Sequence, residues 1–109
     1  MTPLEKFKIR LRISLSNTSE DDLLNLILED AQNAILDFCN RSSLLPIMES
    51  LQRELAVEFY NRQGAEGESS RSEGGISVSY STEIPESIKT RLVSYRLLKG
   101  AKIANASMQ

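Results

Sequence analysis

The apolar positions of residues 20–39 recur with the period of an α-helix. At 100° per residue, they fall in one stripe roughly 100° wide, with acidic residues on the far side. The acidic run at residues 20–22 suits a first turn, because carboxylates complement the positive end of the helix dipole. Thr18 or Ser19 can cap that turn through a side-chain oxygen. We therefore predict a helix whose core face is formed by Leu24, Ile27, Leu28, Ala31, Ile35 and Phe38.

Two leucines of this helix, Leu26 and Leu36, fall outside the core stripe, among the acidic positions. These side chains could be buried only by a contact other than the core that the apolar stripe of this helix faces. They are candidates for contact with another chain. Single exposed leucines are also normal on protein surfaces, so both interpretations stay open.

The first segment of the chain carries two conflicting signals. Thr2 and Glu5 have the spacing of a capping box, and Pro3 suits the first helical position. The apolar residues that follow alternate with polar ones, which is typical of a strand. Some of the same residues also fit one helical face, and we favour a short helix. The alternating residues are Phe7, Ile9, Leu11, Ile13 and Leu15, and the helical set is Leu4, Phe7 and Leu11.

A third helix is predicted to begin at Pro46 and to end at Gly64. Val57 and Tyr60 fall outside its inner face and are predicted to point elsewhere. Its inner face is predicted from Ile47, Met48, Leu51, Leu55 and Phe59.

A long loop of Gly, Ser and Glu follows this helix. At its end, Ile76, Val78 and Tyr80 alternate with serines as a short strand or extended arm would, and a strand needs a partner for its backbone. A loop of this length costs conformational entropy to order, so it is either disordered or held by a partner. Pro85 then begins a last helix whose core face is Ile88, Leu92 and Tyr95.

Together these patterns predict a mainly α protein. We expect a small bundle of about four helices, with a long loop and a short strand or arm between the third and the last helix. Residues 1–109 form one domain in this interpretation, with an extended loop or arm at 64–82 and a flexible tail at 100–109.

Composition and charge narrow the classes of protein. A chain of 109 residues fits one modest core. No apolar run approaches the ~20 residues that span a bilayer, so we expect no membrane segment. Cys39 is the single cysteine, which excludes a disulfide within the chain and favours a reducing, intracellular setting.

The charges are unevenly distributed. Residues 1–12 carry four basic residues against one acidic, and residues 83–109 carry five against two, so each end has a net charge of +3. Residues 13–82 carry four basic against twelve acidic residues, a net charge of −8. These charges either solvate helix faces and pair with one another, or the basic ends meet an acidic partner.

The residue types of catalytic and metal sites are scarce. Histidine is absent from the sequence, and Cys39 lies on the apolar side of its helix, where a core role is expected. Glu29 and Asp30 are adjacent and point in different directions, so we interpret them as a solvated face. The loop glycines are interspersed with glutamates and lack the ending of a phosphate-binding loop. We predict no enzyme, no cofactor and no metal, and sequence-specific DNA binding has weak support.

Three segments in this order resemble the small head-to-tail connector or adaptor proteins of long-tailed bacteriophages and prophages. They are DDLLNLILEDAQNAILDFCNR at residues 21–41, AVEFYNRQGAEGESSRSEGGISVSY at 56–80 and IPESIKTRLVSYR at 84–96. The central loop segment is the specific part of the resemblance, because the helical segments alone would match many small α proteins.

The resemblance implies a mainly helical, noncatalytic subunit of a ring, expected to be a dodecamer, beneath the portal of the DNA-filled capsid. Such a ring would dock on the portal, extend the DNA channel without sequence-specific contacts, and present a surface to the stopper or tail completion protein. The location implied is the head-to-tail junction of the virion, with assembly in the host cytoplasm.

In a ring, each subunit uses one surface for the neighbour ahead and another for the neighbour behind. We expect the apolar residues outside the core faces, together with the loop, to fill those surfaces. For the portal contact we expect the basic last helix and tail, Arg96, Lys99 and Lys102, because a flexible end can enter a cleft. The predicted subunit contacts are Leu26, Leu36, Val57, Tyr60, Glu68, Arg71, Glu73 and Ile76.

Two other classes stay open. A small α-helical regulatory or DNA-associated protein would bind duplex DNA in a salt-dependent way through its basic ends. A different helical interaction module, of a virion or of a toxin–antitoxin pair, would form a small oligomer with one partner and no ring. An enzyme has the least support.

Overall fold

The computed structural model describes residues 1–66 and 80–97, and these residues form four α-helices. The predicted mainly α bundle is confirmed. Of the loop or arm predicted at 64–82, residues 67–79 lie outside the described residues, as does the tail predicted at 100–109. The helices are α1 (Pro3–Leu11), α2 (Asp21–Cys39), α3 (Glu49–Glu66) and α4 (Glu86–Leu92), with 3-10 turns at Pro46–Met48 and Val93–Tyr95.

The first segment is a helix, not a strand. The Thr2 side chain accepts a hydrogen bond from the Glu5 backbone, and the Glu5 carboxylate accepts one from the Thr2 N–H, so the predicted capping box is present. Phe7 is fully buried, whereas Ile9 is 49% exposed. The alternating pattern is misleading here because the capping box and Pro3 already fix the backbone as helical.

The start of α2 differs from the prediction. The helix begins at Asp21, and its N-cap is Glu20, which makes no side-chain capping bond. The predicted caps were wrong, because the Ser19 N–H and hydroxyl both donate to Asn17 Oδ1, at 3.0 and 2.8 Å. Thr18 contributes only its backbone carbonyl, which accepts from the Asp21 N–H. A local turn therefore uses the groups that the sequence suggested for capping.

The core lies between α1, α2 and α3 and extends to the last helix through Ile88 and Leu92. The predicted stripe of α2 is buried, with Phe38 half-buried at its edge, and Met48 of the 3-10 turn is buried together with Leu51, Leu55 and Phe59 of α3. Ile47 was placed wrongly, since its side chain is 63% exposed. The cause is the 3-10 turn at Pro46–Met48, which changes the helical phase before α3 begins.

Helix α3 ends at Glu66, two residues beyond the predicted end at Gly64. Val57 and Tyr60 were expected to point away from the core, and both are half-buried against it. Gln52 of the same helix is buried and donates from Nε2 to the Leu28 carbonyl at 3.0 Å, which joins α3 to α2. The inner side of α3 is thus wider than its apolar periodicity predicted.

The last helix follows the sequence prediction closely. Pro85 is its N-cap, Ile88 and Leu92 are buried, and Tyr95 packs partly against the core. Within residues 1–66 and 80–97, no helix has both the length and the apolar character needed to cross a membrane.

A buried charge ties α1 to the start of α2. Lys8 is 2% exposed, and its Nζ donates to Asp21 Oδ1 at 2.7 Å and to the Leu15 carbonyl at 3.4 Å. A buried ammonium group needs such partners, because losing water without them is costly. This pair holds the connection between the first two helices in place.

Candidate protein interfaces

The chemically reactive groups of the described residues are structural. Cys39 is fully buried, its thiol donates weakly to the Leu92 carbonyl, and burial raises the pKa of that thiol. Among the residues that the structure describes, no three His, Cys, Asp or Glu side chains converge to hold a metal ion.

The chain is fixed to the helices at residues 80–83, where it returns from the central loop. Tyr80 packs its ring on Phe59, with 5.4 Å between the ring centroids, and its hydroxyl donates to Asp30 Oδ2 at 2.5 Å. Burial, together with this bond, raises the pKa of Tyr80 well above its usual value. Arg62 Nη1 donates to the carbonyls of Ser81 and Glu83, at 2.8 and 2.7 Å. The chain therefore returns from the loop against α3 and α2.

This arrangement corrects the prediction for the acidic pair of α2. Glu29 is exposed as expected, whereas Asp30 is half-buried and accepts the Tyr80 hydroxyl. The periodicity of α2 could not reveal this role, because the partner comes from a segment 50 residues away.

One side of α2 faces away from the core. We call it the α2 outer face and define it as Asp22, Leu26, Glu29, Leu36 and Asp37. The three acidic residues are exposed, and the two leucines are half-buried but do not belong to the core cluster or to the partly buried residues packed against it. Near its C-terminal end, Leu36 and Asp37 line a shallow pocket with Asn33, Asn40 and Arg41.

A second surface lies where α4 crosses the start of α3, and we call it the α3–α4 face, defined as Arg10, Ile47, Arg53 and Arg91. Ile47 is 63% exposed, which is high for an apolar side chain of this size. Between the two helices lies an open groove of about 410 Å³. Its lining consists of Ile47, Ser50, Leu51, Thr90, Arg91, Ser94 and Tyr95.

The charge of the α3–α4 face is set around one carboxylate. Arg91 donates to both carboxylate oxygens of Glu54, from Nη1 at 3.1 Å and from Nη2 at 2.5 Å. This bond lowers the pKa of Glu54, and the positive charges of Arg10 and Arg53 lower it further. Arg91 is bonded to this carboxylate, and Arg10 and Arg53 act on it by charge alone, so the face carries more positive than negative charge.

The last described residues are bound to the end of α2. The Leu97 N–H donates to the Cys39 carbonyl at 2.8 Å, and Asn40 Nδ2 donates to the Leu97 carbonyl at 2.7 Å. Arg96 Nε donates to the Phe38 carbonyl at 2.9 Å, with its guanidinium 4.8 Å from the centre of the Phe38 ring. The chain beyond residue 97 therefore starts at the C-terminal end of α2.

The structure brings only some of the predicted contact residues together. Leu26 and Leu36 share the α2 outer face. Val57 and Tyr60 lie on α3, and the Tyr60 hydroxyl donates to Glu20 Oε1 at 3.0 Å, so this side chain already has a partner within its own chain. The predicted contacts that lie outside the described residues are Glu68, Arg71, Glu73, Ile76, Lys99 and Lys102.

Sequence reasoning missed the α3–α4 face. Ile47 had been assigned to the core, and Arg91 had not been singled out. The available signal was the phase of the last helix, because Arg91 falls off the face formed by Ile88 and Leu92. The groove itself depends on how two helices pack, which no local pattern encodes.

Comparison with known proteins gives one match. The family model described as "Phage gp6-like head-tail connector protein" matches residues 1–96. No curated protein and no solved structure matches the chain.

Proposed function

The chain belongs to the phage gp6-like head-tail connector family, and from this premise we propose that its copies form a ring between the portal and the stopper or tail. As a member of the family it is a structural component of the virion. In our proposal the ring is a dodecamer that assembles in the host cytoplasm and extends the DNA channel, through which DNA passes without sequence-specific contacts.

The observation that carries the ring proposal is the α2 outer face. Leu26 and Leu36 lie outside the core of their own chain, on the longest helix of residues 1–66 and 80–97. Apolar side chains that the core does not use, set among exposed polar residues, are candidates for contact with another protein chain. Of the other proposed subunit contacts, Val57 and Tyr60 contribute the exposed part of half-buried side chains, and Glu68, Arg71, Glu73 and Ile76 contribute the loop.

For the portal we propose the basic C-terminal segment, Arg96, Lys99 and Lys102. Arg96 is held against Phe38, so the tail begins from a fixed point on the subunit. A chain end that starts at a fixed point can enter a cleft on a partner without rearranging the bundle. Truncation after Leu98 is expected to abolish docking on the portal and to leave the helical fold intact. A truncated chain that docks like the full chain would exclude this segment.

The ring proposal is tested by deleting the gene in the phage or inducible lysogen that carries it and examining the lysate by negative-stain electron microscopy. We expect separate heads and free tails, with few joined particles. A plasmid copy of the gene should restore joined particles, which controls for effects on neighbouring genes. Normal virions from the deletion strain would exclude the connector role and favour a regulatory or DNA-associated protein.

A further inference from the structure

The α2 outer face and the α3–α4 face lie on opposite sides of the molecule. Helix α2 packs its buried stripe on α3, and Gln52 of α3 points at it through the bond to the Leu28 carbonyl. Glu54 is two residues further along α3, roughly 200° around the helix axis. The side of α3 that carries Glu54 and the groove therefore points away from α2.

These two faces carry opposite charge. Asp22, Glu29 and Asp37 are exposed carboxylates, and no described residue forms an ion pair with them. On the other side, Arg10 and Arg53 likewise have no ion pair within the described ranges, and Glu54 is paired with Arg91. One face therefore has unbalanced negative charge and the other unbalanced positive charge.

Both faces also expose apolar side chains. Leu26 and Leu36 are ten residues apart, about 15 Å along the axis of α2. On the other face, Ile47 is more than half exposed and lines the groove. Apolar residues inside a rim of complementary charge are the usual composition of a specific protein contact.

We propose that these faces bind each other, so that the α2 outer face of one copy docks on the α3–α4 face of the next copy. The occupant of the groove is thus a second copy of this chain. Because the two faces are different surfaces on opposite sides, the contact is head-to-tail and propagates from copy to copy. The inference rests on the proposed function only in the closure of such a series into a ring.

Charge reversal gives a stringent test with purified protein. In one variant, Glu29→Lys and Asp37→Lys reverse the α2 outer face. In a second, Arg10→Glu and Arg53→Glu reverse the α3–α4 face. Each variant alone presents two faces of like charge, so self-association measured by sedimentation velocity should weaken by at least about tenfold relative to the wild-type chain.

Mixing the two variants should restore association. In an equal mixture, the reversed α2 outer face of the first variant is positive and meets the reversed, negative α3–α4 face of the second. The unchanged α3–α4 face of the first variant also matches the unchanged α2 outer face of the second. Copies of the two variants can therefore alternate. The expected result is complexes as large as those of the wild type. A mixture that stays as small as either variant alone, or a wild-type chain that does not associate, would overturn the proposal.

Two controls separate this result from misfolding and from bulk charge. Circular dichroism should show the same helix content in all the variants, because the replaced side chains are exposed or half-exposed. Glu83→Lys makes the same type of change at a side chain that is 74% exposed and lies outside both faces. Its association should equal that of the wild type, and a loss as large as that of Glu29→Lys with Asp37→Lys would overturn the assignment of the faces.

The failure of this inference is distinguishable from failure of the proposed function. Normal virions from the deletion strain, together with rescue of association by mixing, would remove the connector role and keep the head-to-tail contact. Separate heads and tails from the deletion strain, without rescue by mixing, would keep the connector role and remove this pairing of faces.

Discussion

One side of α2 presents its apolar residues to the core of the chain, and the other side presents two leucines that lie outside the core cluster of the described residues. Ile35 is fully buried, while its neighbour Leu36 lines a shallow surface pocket. The two residues are similar in size and polarity, so hydrophobicity alone cannot explain their different positions. The difference shows that one helix can serve the fold on one side and remain available to a partner on the other.

The largest difference between the two sides of α2 is expected when Ile35 and Leu36 are each replaced by alanine in separate variants. Ile35→Ala should lower the free energy of unfolding by about 2 to 5 kcal/mol, because it leaves a cavity in the core. Leu36→Ala should cost at most about 1 kcal/mol, since its side chain already contacts water. Urea denaturation followed by circular dichroism measures both. Equal losses would mean that the two sides of α2 contribute alike to the fold.

A second comparison uses two lysines of α1. Lys8→Met should lower the free energy of unfolding by about 2 kcal/mol, below the ~3 to 5 of a fully buried pair, because Asp21 keeps some contact with water. Lys6→Met is the matched control, since Lys6 and Glu49 form an exposed pair at 3.7 Å. Its effect should stay within about 0.5 kcal/mol. Denaturation curves in which the two variants coincide would show that burial of Lys8 is energetically unimportant.

Tyr80 lies at the returning end of the central loop, and its hydroxyl is bonded to Asp30, which lies beside the α2 outer face. Tyr80→Phe should cost about 1 kcal/mol at neutral pH, because the hydrogen bond to Asp30 is lost. Tyr95→Phe is the control, since no described residue forms a hydrogen bond with the Tyr95 hydroxyl. A Tyr80→Phe chain as stable as the control variant would contradict the role assigned to this bond.

The same tyrosine predicts a pH dependence. Its pKa in the folded protein is raised above the ordinary value of about 10, because of burial and then the bond to Asp30. The unfolded chain therefore loses this proton first, so the contribution is complete below pH ~10 and is lost as the pH rises toward the folded pKa. Denaturation curves at increasing alkaline pH should show a steeper loss of stability for the wild type than for Tyr80→Phe. Parallel curves would contradict the assignment.

The smallest effect on stability is expected from the α2 outer face itself. Leu26→Ser combined with Leu36→Ser should change the free energy of unfolding by about 1 kcal/mol or less, since neither side chain belongs to the core. The same variant, supplied on a plasmid to the deletion strain, should fail to restore joined particles. Full restoration would show that these leucines have no role in assembly.

Much of the core could be predicted from the sequence because helical periodicity reports burial directly. The stripe from Leu24 to Ile35 and the capping box at Thr2 depend on residues within one or two turns of each other. Ile47 and the caps of α2 could not be predicted in the same way. A 3-10 turn shifted the phase of Ile47, and a local turn bound the Ser19 groups.

The two candidate interfaces also differ in how far the sequence alone could predict them. Leu26 and Leu36 could be identified from helical phase, because they break the amphipathic pattern of a single helix. The α3–α4 face could not, since it forms where residues about 40 positions apart meet, as in the pair Arg91 and Glu54. The interaction between Tyr80 and Asp30 was hidden for the same reason.

By itself, the sequence determined the helical class of this protein, the buried side of α2, the scarcity of catalytic groups and the resemblance to a connector family that the family match bears out. These properties follow from composition and from contacts within a few turns of one helix. Only the tertiary structure decided which exposed residues share a face and which charges remain unbalanced on opposite sides of the molecule. Those properties depend on how separate helices pack, and packing brings together residues that lie far apart along the chain.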